Sequence, residues 1–435
     1  MREKAPRFNK LTVNERTVNE MTATELIEPV ELPREGAQQV SMGTGEHSLA
    51  RDNGIGGRFA GGELFSPPLP FQNGHLQTAL ALVKPDADDA YRIDQPLVVD
   101  AGPDLCDTAV TAQQQRRVQL MAYYTSRRQP DASAPADLLT AGRNNGVTGT
   151  HRTNAHHQPL YPSDKQRGLV LMLHGWLGCS HSNYNRATTA ALTHAGYDVV
   201  RLNLRDHGPD YHLQSAAMNP GIFLGILIEE AHCAAQQLAL LAGDRPFFIV
   251  GVSMGGNFAL RMAQRHATDP IVNLRKVIAI NPAVNPASAT DNVDRFPFYR
   301  RFFRRRWLMS LLTKQALHPE LYDFAELRHY PTIRGMTERL IARYGERFGT
   351  FRTADEYFAQ YAVAPATLGD LTVSTTIITA QDDPIIDARE FQDLPVNSRL
   401  TLQLHPTGGH VGYVSLFPKT HYLPQAVLRA LNSDS

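Results

Sequence analysis

The pattern with the most chemical content is Gly251-Val252-Ser253-Met254-Gly255, inside FFIVGVSMGGNFALRMA. It fits G-x-S-x-G and lies between an apolar run and a helix-like run. A serine at the tip of so tight a turn is held in a strained backbone conformation, and small residues two positions to either side let strand and helix approach. Its hydroxyl then projects over the end of a sheet, with a helix N-terminus behind it that favours developing negative charge. The competing reading is a glycine-rich turn of a nucleotide-binding fold. It lacks support, because the chain shows no G-x-G-x-x-G and no lysine-bearing phosphate loop. Ser253 is the candidate nucleophile for an acyl-transfer reaction.

A serine hydroxyl needs a base within hydrogen-bond reach, and that base needs an orienting group. For a strand–turn–helix serine the expected chain order is nucleophile, acid, histidine. The chain holds 17 histidines. His410 is singled out by its place in HPTGGHVGY, a glycine-flanked loop after the last strand-like run, while His266, His405 and His421 read as structural. The acid falls in TIITAQDDPIID. Asp383, directly before Pro384-Ile385-Ile386, is preferred. Asp382 is the alternative, its other role being to cap the loop. An oxyanion requires two backbone N–H groups. Met254 supplies one, and Trp176, in LMLHGWLGCSHSNY, is the candidate for the other and for a wall of the acyl pocket. His174 is expected to brace its loop. The turn Arg205-Asp206-His207-Gly208 is expected to support the site from below. Reading Asp206 and His207 as a metal pair is disfavoured, since no second carboxylate–histidine cluster completes it. The chemistry calls for neither a metal nor an organic cofactor.

The elements that must position these residues follow from periodicity. Short apolar runs at Leu169–Leu173, Asp198–Leu204, Phe247–Val252, Lys276–Ile280, Ser374–Thr379 and Arg399–Leu404 predict strands. Helical spacing over Phe223–Leu241 and Phe258–His266 separates them. Strands alternating with helices imply an α/β class with a mostly parallel sheet and right-handed crossovers. Pro96–Asp100 and Arg117–Tyr124 read as an early antiparallel pair. Residues 1–60 are polar and aperiodic, and read as a leader before a domain spanning 61–435. Residues 127–166 read as an inserted surface loop. Residues 282–371 interrupt the rhythm with helical tendency and read as a cap over one end of the sheet. Within it, YRRFFRRRW (Tyr299–Trp307) is basic and aromatic. A helix with a solvated basic face is the favoured reading, and a peripheral contact with anionic lipid the other. Phe351, Tyr357 and Phe358 read as core or pocket walls.

The chain has 435 residues, 42% hydrophobic and 20% charged, with a formal net charge of zero. This suits a globular protein with a core and gives no basic excess for nucleic acid. Three widely spaced cysteines, Cys106, Cys179 and Cys233, suggest neither a disulfide framework nor a zinc site. With no apolar stretch long enough for a signal peptide or a membrane span, the expected location is cytoplasmic.

FSPPLPFQNGHLQTAL, HGWLG, GVSMGGN, DDPII and GGHVG occur in this order. Together they resemble the YheT-like α/β-hydrolases over about Phe65–Asn432, with NGHLQT the distinctive motif. The resemblance implies the α/β-hydrolase fold, a helical cap, and hydrolysis of carboxylic esters of short or medium acyl chain or of lipids. Its charge-relay positions fall on Ser253, Asp383 and His410. The chain departs from the group at Arg205-Asp206-His207-Gly208, where an R-G-C-type turn is usual, and in the 127–166 insertion. Asn73, His75 and Gln77 have no assigned chemistry; a structural role near the mouth of the site is expected. Two competing readings are an acyltransferase using the same triad and a non-catalytic binding scaffold on the same fold.

Overall fold

The computed structural model describes residues 58–59, 64–83, 93–105, 108, 117–126, 167–210 and 213–433. The leader expected at 1–60 falls outside these residues except for 58–59, and the insertion expected at 127–166 falls outside them entirely.

Eleven strands are described: β1 (Arg58–Phe59), β2 (Ile93–Pro103), β3 (Arg117–Ser126), β4 (Leu169–Leu173), β5 (Asp198–Leu202), β6 (Phe247–Val252), β7 (Leu274–Ile280), β8 (Ser374–Ala380), β9 (Leu400–His405), β10 (Val414–Leu416) and β11 (Lys419–His421). Nine form one sheet in the order β1-β9-β8-β7-β6-β4-β5-β3-β2. The pairs β2–β3 and β3–β5 are antiparallel, and the others in this sheet are parallel. The two early runs thus form the antiparallel pair that alternation predicts, although β2 is longer than its apolar stretch.

The continuous apolar runs have a simple cause. Strands covered on both faces cannot alternate apolar with polar, so both sides of the pleat read apolar. In β4, Leu169, Leu171 and Leu173 join one core cluster while Val170 and Met172 join another. On the first face lie α4 (Ile228–Ala239) and α5 (Met254–Arg265), and on the second α2 (Asn183–His194) and α10 (Tyr422–Asn432). Between them are α1 (Gly74–Leu80) near the start and α3 (Leu213–Met218) after β5. Helix α4 begins later than its period suggests. Phe223, Leu224, Ile226 and Leu227 are apolar, but they turn into a third cluster instead of continuing the helix. Helix α5 begins earlier, at the residue following Ser253.

Between β7 and β8 the chain runs through α6 (Pro286–Arg295), α7 (Pro297–Leu317), α8 (Ile333–Phe348) and α9 (Ala354–Ala359). These helices surround the third core cluster, which includes Phe351, Tyr357 and Phe358. No described helix is long and apolar enough to cross a membrane.

The position of the site follows from the strand order. From β4 the chain moves to β5 on one side and returns to β6 on the other. This is a topological switch point, where the loops leaving adjacent carboxyl ends diverge and open a crevice. Leu173 and Gly251, the last paired residues of β4 and β6, are in register.

Candidate active site

Ser253 has φ 55° and ψ −115°. A side chain on a residue with positive φ is costly unless its surroundings enforce it. Its N–H donates to Ile280 O (2.8 Å) and its carbonyl accepts from Asn257 N (3.0 Å). Gly255 makes the turn feasible, because a Cβ there would lie 2.4 Å from Leu173 O. Strain is concentrated at this edge of the sheet. Of the described non-glycine residues with positive φ, Leu177, Asp206, Ser253, Asn281, Val411 and Tyr413 sit in loops at the carboxyl ends of strands; Asn273 does not.

The imidazole of His410 lies between the two other predicted residues. Its Nε2 is 3.0 Å from Ser253 Oγ and its Nδ1 is 2.9 Å from Asp383 Oδ2. The Asp383 side chain is fully buried. Its Oδ1 accepts from Ile385 N (2.8 Å) and Ile386 N (3.0 Å), and its Oδ2 also accepts from Asn281 Nδ2 (2.7 Å). The two strand-end acids have separate places. Asp382 accepts from Thr407 Oγ1 (2.7 Å) and Gly409 N (2.8 Å), so it braces the histidine loop and does not meet the imidazole.

That loop depends on the NGHLQT segment. Asn73 caps α1 by accepting from Leu76 N (3.0 Å). Thr78 Oγ1 accepts from His410 N (2.8 Å). The fully buried Gln77 donates to Phe71 O and Val414 O and accepts from Val414 N, each at 2.9 Å. Gly409 has φ 54°, and a Cβ there would lie 2.3 Å from Gly74 O. His75 faces the other way, with Nδ1 3.0 Å from the Tyr299 hydroxyl at the start of α7. Burial pushes the Tyr299 hydroxyl up, and the nearby Asp383 charge adds to this. Gln77, of which sequence reasoning expected only a structural role, and Thr78 and Asn281, to which it gave none, are positioning residues. A polar NGHLQT cluster opening a short helix was the available signal for the first two.

The loop after β4 approaches Ser253 closely, a Cβ on Gly175 lying 3.2 Å from Ser253 Cβ. Among the described residues, neither the Trp176 nor the Met254 N–H meets an acceptor. Two histidines staple this loop to the one after β5. His174 Nε2 accepts from Leu204 N and His207 Nε2 accepts from Leu177 N, both at 3.0 Å. Their Nδ1 atoms face Gly175 O and Arg205 O. Burial drives the His174 pKa down to about 4, so it is a neutral brace at pH 7. Both nitrogens of His207 are thereby engaged. Asp206 pairs with the buried Lys314 of α7 (2.7 Å), which leaves no free Asp206–His207 pair for a metal. Arg205 binds Asp104 (3.0 Å) and Glu230 (2.5 Å), also in the interior. Burial raises the Glu230 pKa against the pull of Arg205, and lowers that of Lys314 against the pull of Asp206.

The basic-aromatic segment differs from a helix with a uniformly solvated basic face. Tyr299, Phe303 and Trp307, four residues apart, point inward. Phe303 stacks on Trp176 at 5.7 Å and Trp307 meets it edge-on at 5.4 Å. Arg306 donates to Leu177 O (2.9 Å) and Arg304 to Tyr330 O (2.6 Å).

Residues 164–411, more than half of the chain, match the sequence profile of the family described as serine aminopeptidase, S33. The chain belongs to this family. Its sheet order and strand–serine–helix turn are those of the α/β-hydrolase fold. Among curated relatives, this S33-family chain is 23% identical over 357 residues to the monoacylglycerol lipase of Saccharomyces cerevisiae, covering 78% of this chain and 74% of that one. It is 25% identical over 244 residues to a provisionally named esterase of Synechocystis sp.. That match covers 51% of this chain and 63% of the relative, so the chain spans less than two thirds of that relative's length. Among solved structures, the Pyrococcus furiosus esterase Pf2001 aligns with a TM-score of 0.44 at 12% identity, over 80% of this chain and 96% of that one.

Proposed function

We propose that this protein is a serine hydrolase that cleaves carboxylic esters through an acyl-enzyme. The observation that carries the reading is one imidazole within hydrogen-bond reach of both the Ser253 hydroxyl and the buried Asp383 carboxylate. Ser253 Oγ attacks the ester carbonyl as its proton passes to His410 Nε2. Asp383 holds the imidazole orientation and stabilises the imidazolium. The Met254 and Trp176 N–H groups receive the oxyanion; a preorganised donor of this kind is worth roughly 3–4 kcal/mol. Collapse expels the alcohol, which takes the proton from His410. Water, deprotonated by the same nitrogen, then attacks the acyl-serine and releases the acid.

The NGHLQT segment supports a likeness to the YheT-like group, with 282–371 read as its cap. The names of the relatives bring monoacylglycerols into the substrate set beside short- and medium-chain esters. The aromatic wall of Trp176, Phe303 and Trp307 suits an apolar acyl chain. The free thiols of Cys179 and Cys233 suit a reducing compartment, consistent with the cytoplasm.

The test pairs labelling with turnover. A fluorophosphonate probe should label the parent and not Ser253→Ala. A series of p-nitrophenyl esters from short to long acyl chains, run beside monoacylglycerols, should show highest turnover at short to medium length. Absence of labelling and of ester turnover would remove the hydrolase reading. Transfer of the acyl group to an added alcohol in preference to water would replace hydrolysis by acyl transfer.

A further inference from the structure

Helix α7 carries two stripes of opposite character. The inward one is Tyr299, Phe303, Trp307, Leu311 and Lys314, which reach the site loops and the core. The outward one is Phe298, Arg301, Arg305 and Met309, spaced three, four and four residues apart, so they share a face. Phe298 is 46% exposed and Met309 58%, and both arginines are exposed.

The charge balance of this helix is unusual. PFYRRFFRRRWLMSLLTKQAL has five arginines, one lysine and no acid. Arg300, Arg304 and Arg306 spend donors on backbone carbonyls, and Lys314 is buried on Asp206. Among the described residues, Arg301 and Arg305 meet no carboxylate. The neighbouring α8 is the internal contrast. Its Arg334, Arg339 and Arg343 all pair with acids: Asp291 and Asp355, Glu326, and Asp323 and Glu326. Unpaired cations interleaved with exposed apolar side chains therefore distinguish the outer face of α7 from α8.

We propose that this face docks on an anionic lipid surface. Phe298 and Met309 enter the boundary between headgroups and acyl chains, and the Arg301 and Arg305 guanidiniums meet lipid phosphates. A second copy of the chain fits less well, because a two-fold contact on this face would set arginines against arginines. Docking brings the lipid surface within about one helix diameter, roughly 10 Å, of the Trp176 loop. Only that consequence, delivery of a lipid-borne ester to Ser253, rests on the hydrolase reading; the docking itself does not.

The experiment is co-sedimentation of the full chain with vesicles of phosphatidylcholine, alone or with one third phosphatidylglycerol. The parent should partition onto the anionic vesicles and release as salt is raised. Arg301→Gln/Arg305→Gln should weaken partition by about 30-fold, from the usual gain per cation near such a surface. Phe298→Ser/Met309→Ser should weaken it about tenfold. Both pairs should unfold at the parent's temperature and turn over a water-soluble ester at the parent's rate. Ser253→Ala should partition like the parent, which separates failure of docking from failure of the hydrolase reading. No partition onto anionic vesicles, equal partition onto neutral ones, or partition unchanged in both double variants would overturn the proposal. So would a dimer seen by light scattering that the same variants dissolve while vesicle binding is absent.

Discussion

The elbow that presents Ser253 and the loop that presents His410 do matching jobs by different means. The elbow is local. Strand β6, the turn and helix α5 are contiguous, and the strain of φ 55° is held by Ser253 N on Ile280 O and by the fit of Gly255 under Leu173 O. The histidine loop is assembled from afar. Its backbone hangs on Thr78 and Gln77, more than 330 residues earlier, and on Asp382. A nucleophile can be placed by backbone geometry alone, because the helix N-terminus and the tight turn fix it. A base on a long loop has no such frame, so other segments must supply its hydrogen bonds.

The largest break in this comparison is at the elbow. Ser253→Ala should lower kcat by about 10⁶-fold, as for serine hydrolases generally, measured on a p-nitrophenyl ester. Ser253→Gly should be equally inactive yet unfold at higher denaturant, by about 1 kcal/mol, because glycine tolerates the positive φ. A lower midpoint for the glycine variant would show that the elbow is not strained. On the histidine side, Gln77→Ala leaves Val414 N–H and C=O buried without partners. It should cost roughly 3 kcal/mol of stability and about 10²-fold in kcat, although Gln77 touches none of the reacting atoms. Parent-like kcat in a destabilised Gln77→Ala would mean the loop holds itself.

The next test concerns the staple between the loops after β4 and β5. His174 ionises near pH 4 when folded and near 6.5 when unfolded. The unfolded chain therefore binds the extra proton first. Stability is intact above pH 6.5 and is lost, by about 3 kcal/mol, as pH falls from about 6.5 to about 4. Urea midpoints across this window should fall, and the His174 ring resonances should stay those of a neutral imidazole at pH 5. A ring that titrates near 6.5 would contradict the buried brace. The smallest expected effect is at Asn281, whose amide orients Asp383. Asn281→Gly keeps the left-handed backbone and removes the amide. It should lower kcat about tenfold with KM within about twofold, the loss of roughly one hydrogen bond. An unchanged kcat would leave Asn281 a structural residue only.

Much of this was legible in advance because it is short-range. G-x-S-x-G between an apolar run and a helical run marks a candidate nucleophile turn from adjacent residues, and doubly covered strands announce themselves as apolar runs. Chain order and glycine flanks were enough to favour His410. The choice between Asp382 and Asp383 was different. The two are neighbours with the same chemistry, so the run Pro384-Ile385-Ile386 gives no more than a preference for Asp383, and the twist of the chain after β8 is what turns it to the imidazole. The two stripes of α7 share one helical period, yet composition alone does not say which aromatic faces Trp176 and which faces solvent.

By itself the sequence determined the fold class and singled out Ser253 as the candidate nucleophile, because both readings depend on residues a few positions apart. Tertiary structure brought the preferred Asp383 against His410, and it alone decided the Gln77–Thr78 clasp on the histidine loop, the pairing of the two histidine staples and the burial of Lys314 on Asp206. Each of these joins groups distant in the chain, and the free energy that selects them exists only once the segments have packed and the polar groups between them have lost their water.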